Sequence, residues 1–331
     1  MTSRSFIFSS DTLSEPLWRL FKSPALLLML ALLLAAELVV RVSLPEGKQP
    51  KGVYHSMEFR QQVEQYQQSV PVDMIIIGSS VAAANYPPVA LDARLQELGL
   101  DGFTSFDSGI RGCNYYCIAE GVARYYLPVY QPSKALLVVS PDDLHASNRG
   151  VIQRSERFVE AMRKDGISRW AVEKLSSLSY LYGFQAEVKD WLTSGEWLFD
   201  SAKLGQRGYV DMGSIPGDRY LGAPDIRVDS VLSQSLSTLV AQLVEGGTQV
   251  LLLPVEGDSQ ARSLLSDESR QAMDTLLSTL ALQEGVRLMN NDGATFSDDA
   301  YIDTIHLNSL SARENARRVA EQLFASGWLD G

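Results

Sequence analysis

Three short segments of the sequence carry residue types able to do acyl-transfer chemistry. Ser79 and Ser80 follow the apolar run Met74-Ile75-Ile76-Ile77 across Gly78. A serine at such a strand-to-helix turn exposes its hydroxyl and sets its own N–H at a helix amino terminus, where developing negative charge is favoured. Either serine would equally serve as a plain helix cap. Late in the chain, Asp303-Thr304-Ile305-His306-Leu307-Asn308 puts a carboxylate three residues before an imidazole. That spacing allows Asp303 to orient His306 and to stabilise its protonated form. Only three histidines occur, His55, His145 and His306, so an imidazole base working near neutral pH is one of these. His55 lies in a polar stretch and reads as solvated. His145, in Pro141-Asp142-Asp143-Leu144-His145 after another apolar run, competes with His306. Asp142, Asp143 and His145 also admit a weaker reading as a metal-dependent hydrolase, although no metal is expected.

These segments must be positioned by the elements around them. Apolar runs at Val72–Ile77, Phe103–Phe106, Ala135–Val139, Val250–Leu253 and Val286–Met289 predict strands, separated by helical patterns such as Leu91, Leu95 and Leu98 with Gly99 as a stop. The alternation predicts an α/β fold with a parallel sheet of about five strands flanked by helices. Ligands collect at the carboxyl ends of the strands in such sheets, which is where the serine pair and the acidic segment fall. A helical insertion is expected over about 151–200. Its aromatics Trp170, Tyr180, Tyr182, Phe184 and Trp191 suit either its own core or a sugar-stacking wall. A Gly-rich loop near Gly205 to Gly222 and a helix from Val228 to Leu243 return the chain to the sheet, and a terminal helix runs to about Phe324. Residues 71–331 read as one catalytic domain.

Before it, residues 24–40 form an apolar run whose one charge is Glu37, bounded by Lys22 and Arg41. The length suits a transmembrane anchor. A cleaved signal peptide is the rival, but Leu34 occupies the place where a cleavage site before Glu37 needs a small residue. Residues 1–23 are then a cytoplasmic segment and 41–70 a linker leading into a short helix. Arg4, Arg19 and Lys22 on one side against Arg41, Lys48, Lys51 and Arg60 on the other leave the orientation undecided. A net charge of -11 excludes nucleic acid as a partner. Cys113 and Cys117, four apart, read as small residues on one helical face, with a local disulfide in an oxidising compartment as the alternative.

Taken in order, Ile75-Ile76-Ile77-Gly78-Ser79-Ser80, Asp107-Ser108-Gly109-Ile110-Arg111-Gly112 and Asp303-Thr304-Ile305-His306-Leu307-Asn308 resemble the blocks of the SGNH/GDSL hydrolase superfamily, from Val72 to the terminal helix. The resemblance implies a flavodoxin-like three-layer fold and a triad of Ser80, Asp303 and His306. Ser79 stands where the familiar pattern has aspartate. It further implies an oxyanion hole made by the backbone of Ser80 and Gly112, with Gly109 as the fallback. One block departs: Ser140-Pro141-Asp142-Asp143 stands where G-x-N-D is usual, and an ionised Asp142 cannot donate a hydrogen bond to an oxyanion. That points to a specialised enzyme rather than a fast general esterase.

The departure and the single span are similar to the envelope branch of the superfamily, which includes the alginate O-acetylation proteins and the D-alanyl-transfer protein of teichoic acid synthesis. This implies a single-pass protein of the bacterial inner (cytoplasmic) membrane with a periplasmic or extracytoplasmic catalytic domain. It implies an acyltransferase or esterase acting, through an acyl-serine, on O-acyl groups, foremost O-acetyl, of a cell-envelope or exported polysaccharide. It also implies a membrane-bound O-acyltransferase as partner, and no cofactor. The alternative is a non-catalytic subunit of a polysaccharide modification or export complex that keeps the fold.

Overall fold

The computed structural model describes residues 23–43, 51–145, 179, 188, 192, 203–213, 227–289 and 296–330. Apart from Ser179, Val188 and Leu192, the expected insertion at 151–200 lies outside the described residues, as do the segment before Ser23 and most of the Gly-rich loop beyond Gly213. The chain divides into two units, 1–54 with 167–199, and 55–166 with 200–331. In the first, helix α1 (Pro24–Ser43) is long and apolar enough to cross a membrane. Its one acid in the apolar run is not left bare. Arg41, one turn on, donates from Nε to Glu37 Oε1 at 2.8 Å, and the Ser179 hydroxyl donates to Oε2 at 2.9 Å.

The second unit is built on a five-stranded, wholly parallel sheet of β1 (Met74–Ile77), β2 (Ser105–Asp107), β3 (Lys134–Val139), β4 (Gln249–Pro254) and β5 (Val286–Leu288), in the order β2-β1-β3-β4-β5. Its helices are α2 (Lys51–Ser69), α3 (Ser80–Asn85), α4 (Pro88–Glu97), α5 (Tyr115–Gly121), α6 (Ser230–Glu245), α7 (Ser259–Leu264), α8 (Asp267–Leu280) and α9 (Ser309–Ala325). Past Lys134 in β3 and Gln249 in β4, the central strands are apolar because both faces are covered. Ile75, Ile77, Leu137, Val139, Val250 and Leu252 face a core shared with α2, α5, α6 and α8. Met74, Ile76, Leu136, Val138, Leu251 and Leu253 alternate with them and meet α3, α4 and α9. This is the expected three-layer α/β architecture.

The linker expected to reach residue 70 ends earlier. Phe59 and Tyr66 of α2 are buried in the first core, and Gln62 is buried beside them. The polar residues between them hide the buried face of this helix from a hydropathy reading. The helix is amphipathic around a narrow aromatic stripe, and the polar Gln62 lies on the buried side. A second difference concerns the cysteines. Cys113 and Cys117 are joined in a disulfide, not set side by side on one helical face, because Cys113 precedes the Asn114 cap from which α5 starts.

Candidate active site

β1 is followed by Gly78, where a side chain would collide with Ala82 and with the Val138 carbonyl, so the chain turns tightly into α3. The two serines there divide the work. Ser79 is the N-cap, its hydroxyl accepting from the Val81 N–H at 3.3 Å. Ser80, the first residue of the helix, is left with its hydroxyl 2.8 Å from His306 Nε2. On the other side of the imidazole, Nδ1 lies 2.7 Å from Asp303 Oδ2. Asp303 Oδ1 is occupied separately, accepting the N–H groups of Ile305 and His306 at 2.8 Å each. With Nδ1–H donated to the carboxylate, Nε2 is the lone-pair nitrogen and accepts the Ser80 O–H. Burial raises the Asp303 carboxyl, but hydrogen bonding and charge from His306 and the two N–H groups outweigh it and leave the pKa below its ordinary value. The acid is therefore ionised when the imidazole needs it.

The competing histidine is placed elsewhere. His145 is buried, and its Nδ1 accepts the Arg227 N–H at 2.9 Å where the chain re-enters beside Val228. Its hydrogen bond ties a returning segment to the end of β3. His55 lies in α2. Among the described residues no three His, Cys, Asp or Glu side chains converge to hold a metal.

The loop after β2 runs against α3. Ile110 N–H donates to the Gly78 carbonyl, and a side chain at Gly109 would sit 2.4 Å from the Ala83 nitrogen. Gly109 donates its N–H to Asp107 Oδ1 at 2.7 Å, so the fallback oxyanion donor is already committed. Gly112 is the third residue of a turn closed by Cys113 N–H to Ile110 O, with φ +71°, a conformation that favours glycine. The disulfide begins at the next residue. From below, Gln62 Nε2 reaches the carbonyls of Asp107 and Gly109 at 3.0 and 3.1 Å, while its Oε1 accepts from Tyr126. Nothing in the sequence singles out Gln62, which falls in the polar stretch that reads as a linker leading into a short helix.

After β3, Asp142 lies close enough to His306, Asp303 and His145 to feel their charges. Burial is the main influence and raises its pKa; the two histidines lower it and Asp303 raises it further. Asp143 is buried at 7% exposure, and one of its carboxylate oxygens has no hydrogen-bond partner among the described residues. Burial pushes its pKa to about 8, opposed by hydrogen bonds from Ser79 and the Ser140 backbone and reinforced by the charge of Asp142. A group whose folded pKa exceeds its unfolded one contributes stability below the unfolded value that is lost as pH rises through the folded value. Asp143→Asn is therefore expected to raise stability by roughly 2 kcal/mol or more at pH 8 and to change little near pH 4. Thermal melts of both proteins across that range check it, and a pH-independent difference would contradict it.

Another residue absent from the sequence reading is Asn85, at the far end of α3. Its side chain is buried and bonds the backbone on both sides of His306, Nδ2 to Ile305 O at 3.0 Å and Leu307 N–H to Oδ1 at 2.9 Å.

No protein-family model matches the sequence, and no curated protein matches it. Among solved structures, the backbone is similar to a lipase/acylhydrolase from Enterococcus faecalis, at 9% identity over 77% of this chain and 96% of that one, with a TM-score of 0.43. It is also similar to TesA, at 16% identity over 77% and 97% with a TM-score of 0.38. An acetyl xylan esterase, AlAXEase, gives 13% identity over 76% and 98% with a TM-score of 0.38. At these identities and scores, a functional reading has to rest on the geometry of the site itself.

Proposed function

We propose that the chain is a membrane-anchored serine esterase or O-acyltransferase that acts through an acyl-serine on O-acyl groups, foremost O-acetyl, of an envelope or exported glycan. The observation that carries this reading is the unbroken relay from Ser80 Oγ to His306 Nε2 and from His306 Nδ1 to Asp303. In the first half-reaction Ser80 Oγ attacks the acyl carbon as His306 Nε2 takes its proton. The N–H groups of Ser80 and Gly112 receive the oxyanion. Collapse expels the alcohol, which leaves with the proton from His306. Water or a sugar hydroxyl then attacks the acyl-serine, again deprotonated by Nε2, and Ser80 is restored. The Cys113–Cys117 disulfide supports placing the domain outside the cytoplasm, since disulfides persist in oxidising compartments. The apolar helix α1 supports the anchor.

Full-length protein in detergent, given a chromogenic acetyl ester and a fluorophosphonate probe, tests the reading. Turnover with a burst of one acyl group per chain is expected, together with labelling at Ser80. Protein that neither reacts nor turns over would favour the non-catalytic subunit instead.

Asp142 is the feature that bears on rate. Where its carboxyl is neutral it can donate a hydrogen bond, and where it is ionised it opposes an oxyanion. Asp142→Asn makes the donor permanent and is expected to raise kcat on the order of 10-fold, the gain growing with pH as the native carboxyl ionises. Paired pH–rate profiles measure this, and a variant no faster than wild type at any pH would remove Asp142 from the oxyanion site.

A further inference from the structure

Ser80 and His306 are 226 residues apart, and their 2.8 Å contact depends on how the loop bearing His306 is held against the helix bearing Ser80. The loop is well tied within itself. Ile302 N–H donates to the His306 carbonyl at 2.9 Å, Asn308 N–H to the Ala300 carbonyl at 2.8 Å, and Tyr301 and Leu307 form an isolated bridge. These bonds shape the loop but do not set its distance from α3. Asn85, at the other end of the same six-residue helix, reaches across to the loop.

The amide of Asn85 meets a carbonyl and an N–H in the matching sense. Reversing it would put NH2 against the Leu307 N–H and oxygen against the Ile305 carbonyl, so the network fixes its orientation. Both bonds go to main chain, at the residues immediately before and after His306. The imidazole is thus clamped through its own backbone to the helix that carries the nucleophile. The main-chain carbonyl of Asn85 accepts from Asn315 Nδ2 of α9 at 3.1 Å, a bond in which the clamping side chain takes no part.

Resting on the serine-enzyme reading above, we propose that Asn85 is a positioning residue that sets the Ser80–His306 separation and so the rate of proton transfer between them. Misplacement of a reacting pair by about 1 Å costs on the order of 100-fold in rate. Asn85→Ala is therefore expected to lower kcat and the rate of fluorophosphonate labelling in parallel, on the order of 10-fold to 100-fold, with KM nearly unchanged. Asn85→Asp keeps the acceptor for Leu307 and loses the donor to Ile305. It should fall in between, and worsen as pH rises and a carboxylate faces the Ile305 carbonyl. Asn315→Ala is the control for structural damage, because it loosens the same buried neighbourhood while leaving the clamp in place. It should lower the melting temperature and hold kcat within about 2-fold.

Full-length wild type and the three variants are assayed well below their melting temperatures. Folded Asn85→Ala with wild-type kcat would overturn the proposal, as would Asn315→Ala losing rate as severely as Asn85→Ala. If the alanine variant does not fold, the pH dependence of Asn85→Asp decides in the same way. A wild type without turnover or labelling would bring down the serine-enzyme reading and this proposal with it, whereas an active wild type beside an unimpaired Asn85→Ala sinks the positioning role alone.

Discussion

Ser80→Ala is expected to reduce ester turnover on the order of 10⁴-fold or more and to abolish fluorophosphonate labelling, with His306→Ala nearly as severe and the double variant no worse than either. The hydroxyl is a weak nucleophile until a base takes its proton, and the base is useless without that proton to take. Removing one partner therefore forfeits the whole contribution of the pair, and the losses do not add. The fold should hardly register the serine change. Ser79 carries the cap hydrogen bond to Val81, so Ser80→Ala removes no cap, and methyl for hydroxyl at a good helix position moves stability by about 0.5 kcal/mol or less. Steady-state kinetics and melts on the same preparations separate the two effects. A Ser80→Ala enzyme that keeps a tenth of its activity, or a double variant far worse than both singles, would mean that the serine and histidine do not act as one unit.

How far the sequence foretold this site differs from residue to residue. The three central strands are legible because parallel strands covered on both faces are largely apolar, and the residues ending them are legible as a consequence, whereas the edge strands β2 and β5 each carry a polar or charged residue. Choosing between Ser79 and Ser80 is not possible from the residues alone, since both cap helices equally well. In the structure Val81 N–H goes to Ser79, which leaves the Ser80 hydroxyl beside His306. The choice between His145 and His306 likewise turns on a main-chain partner, Arg227, that lies 82 positions from His145.

Asn85 and Gln62 were invisible for a stronger reason. An amide side chain in a helix has no periodic or motif signature, and what defines both residues is which distant carbonyls they reach. For Asn85 the partners lie 220 and 222 positions away. The cysteines misled because a separation of four is a helical spacing only if the helix already includes the first of them. Asn114 starts α5 one residue too late for that. The Asp142 departure was visible as a residue type, but its consequence was not, because whether that carboxyl is charged depends on burial and on His306, His145 and Asp303 around it.

Asp303→Asn is expected to cost on the order of 10⁴-fold in kcat while leaving the shape of the site nearly intact. Asp303 uses its two oxygens differently: Oδ1 accepts two main-chain N–H groups, and Oδ2 accepts the imidazole Nδ1–H. An asparagine must place its single oxygen toward the two N–H groups, because its NH2 would clash with donors there. The NH2 then points at His306 Nδ1, which can only accept it by moving the ring proton to Nε2. An Nε2–H directed at Ser80 is a donor and takes no proton from the hydroxyl. The loss is one of tautomer, so activity should return partly at high pH, as the serine proton is lost to solvent base. Stability follows the sign of the shift. The wild-type carboxyl has its pKa depressed on folding, so its stabilisation is present above the ordinary carboxylate value and fades as pH falls through the lower folded value. Wild type should thus exceed Asp303→Asn in stability at neutral pH and lose that lead in strong acid. Rate and melting profiles against pH test both halves. A variant within 10-fold of wild type at neutral pH would show that the carboxylate does not set the imidazole tautomer.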